Sequence, residues 1–148
     1  MTRILMALAV LASSTNSAAP ATGAAATAGP EPRLIADKAM QYVAAEDLKG
    51  LFDYIGRNMP MERKELIAIR DGIIEQRKKV GVELGKPMGF AFIGECRRAE
   101  ILVRLIYAEK HEKQVMRWEF VFYKPRNTWI MTYFHWDMDL QRLFEPCH

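Results

Sequence analysis

The period of the apolar residues changes near residue 88, and that change restricts the fold more than anything else in the sequence. Before it, apolar side chains recur at helical spacing; after it, they alternate. Of the 15 aromatic residues, 11 lie between Phe90 and Trp136. Aromatic and β-branched residues in alternation favour a pleated, half-buried surface. The pattern predicts four strands, over 89–95, 100–110, 115–124 and 128–136. Pro125-Arg126-Asn127 suits a three-residue hairpin: Pro presets the second position of a type I turn, and Asn tolerates the left-handed position that closes it. With Lys124 opposite Thr128, Trp118, Phe120 and Phe122 share a face with Ile130, Thr132, Phe134 and Trp136. A turn through Glu112-Lys113 adds Ile101, Val103, Leu105 and Tyr107 to it. The opposite face collects Arg104, Ile106, Arg117, Glu119, Val121, Trp129, Met131, Tyr133 and His135. One nearly continuous apolar face needs a cover, and the preceding segment can supply it.

That segment is helical in period. Leu34, Ile35, Lys38, Ala39, Tyr42 and Val43 form one stripe, and Leu48, Leu51, Phe52 and Ile55 form another past a weak point at 45–47. The expectation is a kinked helix or a pair. Gly56, Asn58 and Pro60 break the chain, and a further helix is expected over 61–79 with Leu66, Ile69, Ile73 and Ile74 on one face. Arg63, Lys64, Arg70, Arg77 and Lys78 lie among acids on its other face, which reads as solvated, with acids early and bases late to suit the helix dipole. The fold class expected is α+β: N-terminal helices packed on one face of a curved four-stranded antiparallel sheet.

The first 21 residues read as an export signal. Met1 to Arg3 is a basic start, Ile4 to Ala12 is apolar, and Ser13 to Ala21 is rich in small residues, with cleavage expected after Ala18 or Ala21. Residues 22–32 are a low-complexity Ala, Gly and Pro leader, leaving one α+β domain over 33–148. The apolar run is far short of the roughly 20 residues that span a bilayer, so no membrane insertion of the mature chain is expected. The chain carries 21 basic and 18 acidic residues in 148, too balanced for an electrostatic footprint on nucleic acid.

Export gives the two cysteines a meaning. A bond between Cys96 and Cys147 would close a loop of about 50 residues and contribute about 4 kcal/mol in the chain-entropy model; two unpaired thiols are the alternative. No further ligands stand at metal-site spacing, so neither a metal nor a cofactor is expected. Gly81 and Gly85-Lys86-Pro87 do not make a phosphate loop, because Pro87 stands where a hydroxyl residue would hold Mg²⁺.

The run Arg117-Trp118-Glu119-Phe120-Val121-Phe122-Tyr123-Lys124-Pro125, then Asn127-Thr128-Trp129, then Phe134-His135-Trp136-Asp137 ending in Leu140 to Phe144, resembles the nuclear-transport-factor-like superfamily. This is the α+β cone shared with ketosteroid isomerases, and the likeness is to its short exported members with no assigned activity. The resemblance implies helices on a curved meander. It carries no catalytic residue onto this chain.

Candidate chemistry is sparse. No serine follows Ser17, so the mature chain has no serine nucleophile. Cys96 with His111 or His135 could form a thiol pair, but an exported cysteine is better read as oxidised or buried. The inner face offers Tyr107, Trp118, Thr132 and Trp136 as polar handles for a small apolar ligand, with Glu109 at its rim; plain core is the competing reading. His135-Trp136-Asp137-Met138-Asp139 alternates possible ligands, yet Asp137 or Asp139 is better used to cap a short helix containing Leu140, Leu143 and Phe144. On the outer face the register sets Arg117 opposite His135 and Glu119 opposite Tyr133, beside Trp129. These residue types suit an interface with a second copy or another exported protein, and a solvated salt-bridge ladder is the alternative. The expected function is an exported, soluble, non-catalytic binding or interaction module, dimeric through its sheet. The alternative is a small-molecule isomerase or hydratase with a cavity between helices and sheet.

Overall fold

A computed structural model describes residues 29–146, so the expected signal, most of the leader and Cys147 lie outside the described residues. Three helices come first: α1 Pro32–Ala44, α2 Leu48–Ile55 and α3 Arg63–Leu84. An antiparallel sheet follows, β1 Pro87–Arg98, β2 Leu102–His111, β3 Val115–Tyr123 and β4 Ile130–Asp137, in the spatial order β1-β2-β3-β4. A short 3₁₀ turn, Leu140–Leu143, ends the described chain. The molecule is α+β with helices preceding an open sheet.

The weak point at 45–47 is a break between two helices. The Asp47 N–H donates to the Tyr42 carbonyl and the Glu46 N–H to that of Val43, a Schellman closure with Glu46 at φ 56°. Asp47 then caps α2, its carboxylate accepting the Gly50 N–H at 2.8 Å. A Cβ at Gly50 would crowd that carboxylate and the Tyr42 ring, so a larger residue there would displace the cap. The third helix continues to Leu84, past its expected end at 79, because nothing interrupts it before Gly85 at φ 79°.

Along α1, Ile35, Ala36, Ala39, Met40 and Val43 are buried. They meet Leu51, Phe52 and Ile55 of α2 and, on the sheet, Val103, Leu105, Tyr107, Trp118, Phe120 and Phe122 in one core. Each large apolar side chain buried there is worth roughly 2 kcal/mol in transfer free energy.

The β2–β3 register is the expected one, with the His111 N–H donating to the Gln114 carbonyl at 3.0 Å and Tyr107 facing Trp118. The β3–β4 register is not. Phe122 faces Met131, but Val121 faces Tyr133, so Thr132 is an extra residue, a β-bulge. Ahead of the bulge the faces are exchanged: Trp129 and Met131 are buried at 5% and 0% exposure, and Thr132, expected inside, is exposed. The larger pair removes more apolar surface from water than Ile130 and Thr132 would. Past the bulge the pairing has slipped by two residues, which preserves the faces, and Trp136 stands opposite Trp118.

Candidate functional site

Glu109, expected at a rim, is fully buried and is the centre of an inner polar node. Strand parity puts it on the face of Tyr107, and α3 sends Arg77 down to it. The guanidinium forms a fork with the carboxylate, Nη2 to Oε1 at 2.6 Å and Nη1 to Oε2 at 2.9 Å. Trp118 Nε1 donates to Oε2 at 2.7 Å, and His111 Nε2 stands 2.9 Å from Oε1. The other ring nitrogen of His111 faces the Gly85 carbonyl at 3.2 Å, tying the node to the end of α3. Burial pushes the Glu109 carboxyl up, but Arg77, the Trp118 N–H and His111 outweigh it and hold it below the ordinary range. With both oxygens doubly engaged, Glu109 has no lone pair left for a substrate proton. The solvated role expected for Arg77 is corrected accordingly: its side chain is 10% exposed.

A second ionic cluster occupies the outer face. Arg117 donates to both oxygens of Asp137 and, through Nη1, to Glu119. Arg142 from the terminal turn reaches Asp137 at 3.5 Å, and His135 Nε2 stands 3.3 Å from the same carboxylate. Asp139 caps that turn, accepting the Gln141 N–H at 3.2 Å. The turn lies against β3, so the chain covers part of its own outer face. Arg117 and Glu119, expected at an interface, are buried at 1% and 9% exposure. The bulge also replaces the expected pairs: Arg117 faces Asp137, and Glu119 faces His135. Trp129, the third expected interface residue, is inside, its Nε1–H without a hydrogen-bond partner among the described residues. Tyr133 and His135 remain at the surface, with their rings stacked at 6.2 Å.

Of the expected ligand handles, Tyr107 and Trp118 are closed off at 0% exposure. The Tyr107 hydroxyl donates to Asp37 at 2.7 Å, and Arg33 donates to the same oxygen at 2.8 Å while lying 3.5 Å over the Phe92 ring. Burial first, and then the Asp37 carboxylate, push the Tyr107 phenol far above its ordinary range. This cluster fastens α1 to the sheet.

Thr132 and Trp136 come together elsewhere, in a groove of about 440 Å³ between α3 and the open edge of β4. Its walls are Met59, Met61, Ile69, Ile73, Phe134 and Trp136; Gln76, Thr132, Tyr133 and His135 provide the polar groups. The bulge turns Thr132 outward, and the Asn58 carbonyl fixes the start of β4 by accepting the Met131 N–H at 2.7 Å. Sequence periodicity held two unused signals. Arg77 follows Leu66, Ile69 and Ile73 at helical spacing, and Glu109 follows Leu105 and Tyr107 at strand spacing. Nothing comparable announces the groove, which depends on the bulge. No family model matches this chain, and neither a curated protein nor a solved structure shows significant similarity to it.

Proposed function

We propose that the chain is an exported, non-catalytic binding module that holds a small apolar ligand in the groove between α3 and β4. The observation that carries this reading is the groove itself: about 440 Å³ and mainly apolar, with Gln76 of α3 and Thr132, Tyr133 and His135 of β4 as its few polar groups, which is the size and make-up of a small-molecule site. The resemblance to the nuclear-transport-factor-like superfamily rests on the order of helices and meander and adds no substrate. Export and a Cys96–Cys147 bridge belong to the same reading, and the latter is supported by Glu145 and Pro146 lining one hollow with Cys96. Dimerisation through the sheet would now depend on Tyr133 and His135, and a monomer by light scattering would remove it.

A neutral fluorophore such as N-phenyl-1-naphthylamine tests the groove. It is expected to bind saturably at one site and to be expelled by Thr132→Arg, an exposed position on the wall, with the far-UV spectrum unchanged. Binding that is absent, or indifferent to Thr132→Arg, would overturn the proposal. One observation favours the isomerase or hydratase alternative: His135 lines the groove and is 3.3 Å from Asp137, the arrangement of an oriented base. Uptake of deuterium from heavy water into a bound ketone, lost in His135→Ala, would establish that reading instead.

A further inference from the structure

A second hollow, of about 410 Å³, opens between α2 and the start of α3. Phe52 and Leu66 line it, both nearly fully buried, and Arg57, Arg63 and Arg70 surround it. Asp53 is the one carboxylate among its described lining residues. Arg70 is paired with Asp71 at 2.8 Å, whereas no carboxylate among the described residues pairs with Arg57 or Arg63. Two exposed guanidiniums thus stand beside an apolar floor, neither paired with a carboxylate among the described residues. Such forks bind a carboxylate or a phosphate bidentately and gain most where water is partly excluded, and an apolar floor beside them suits a head group that carries an apolar chain.

The hollow and the groove share a wall. Met61 lines both, and the Phe52 ring meets Phe134 of the groove edge-on, with centroids 5.7 Å apart. A flexible methionine in that wall is the side chain best able to give way to a chain passing from the hollow into the groove. We infer that the ligand is an amphipathic carboxylate, with its head at Arg57 and Arg63 and its apolar chain passing Met61 into the groove. This inference rests on the groove being the binding site and specifies what it takes. Charge and floor act together: a small inorganic anion leaves the floor empty, and a neutral chain leaves the arginines uncompensated.

Calorimetric titration with decanoate and with 1-decanol, against the full mature chain and its Arg57→Glu, Arg63→Glu double variant, separates the possibilities. Both positions are exposed, and the far-UV spectrum checks that the variant is folded. Decanoate is expected to bind the parent about tenfold more tightly than decanol, a difference of about 1.4 kcal/mol. The advantage should shrink with added salt and vanish in the double variant, where decanol binding is unchanged. Equal affinities for acid and alcohol in the parent, or an advantage that survives the double variant, overturn the inference while leaving the groove reading intact. If neither molecule binds, both fall.

Discussion

Single residues decide how the core and the helix breaks are held. Glu109 is ionised inside the protein only because Arg77, Trp118 and His111 surround it. Replacing one partner of such a buried pair leaves the other charge uncompensated, at a cost of about 3–5 kcal/mol. Glu109→Gln is therefore expected to lower stability by that order, read as a drop in the urea midpoint; an unchanged midpoint would mean the node contributes nothing. Glu46 presents the opposite case. It occupies the left-handed position that ends α1 at φ 56°, where a side chain is strained and glycine is not. Glu46→Gly is expected to raise stability by up to about 1 kcal/mol, less the extra entropy glycine gives the unfolded chain. Thermal unfolding will show it as a rise of a few degrees.

At the scale of elements, much was legible in the sequence. Helix and strand periods, the break at 45–47 and the β2–β3 register follow from spacing and turn chemistry that act within a few residues. What escaped depends on contacts between distant segments. The bulge at Thr132 follows from competition between burying Trp129 with Met131 and burying Ile130 with Thr132, which the turn Pro125-Arg126-Asn127 does not settle. The inward turn of Arg77 depends on Glu109, 32 residues away along the chain. The β1–β2 hairpin shows local cost directly: Ala99 and Glu100 both take positive φ, 47° and 56°, in a turn closed by the Ile101 N–H on the Arg98 carbonyl. That geometry favours Asn-Gly. Ala99→Asn with Glu100→Gly is expected to stabilise the protein by about 1 kcal/mol, measured by urea unfolding with the slope unchanged.

For the whole molecule, charge burial ties stability to pH. Burial raises Asp137, but Arg117 and the Asp139 N–H outweigh it, so Asp137, like Glu109, is held below the ordinary carboxylate range. A carboxylate depressed by folding contributes stability that is fully present above its unfolded value, near pH 4, and lost as the pH falls through the folded one. Stability is thus expected to be level above about pH 5 and to decline below it, with a shallower decline in Glu109→Gln, as followed by urea midpoints at stepped pH. If the proposed Cys96–Cys147 bridge forms, reduction will add two hydrogens to the mass and lower stability by about 4 kcal/mol. The three tryptophans differ in ways that give the molecule internal reporters. Trp118 donates to a buried carboxylate, Trp129 is buried with the cations of Arg97 and Lys124 near its ring, and Trp136 is half-buried on the groove wall. Trp118 and Trp136 also stack at 6.4 Å with planes 26° apart, close enough for their transitions to couple. Far-ultraviolet dichroism, where the indole transitions are strong, will therefore carry an exciton signal sensitive to whatever enters the groove, and the indole proton of Trp118 should exchange with heavy water only when the core opens. Ligand entry and core opening can be followed separately, on the unlabelled native chain.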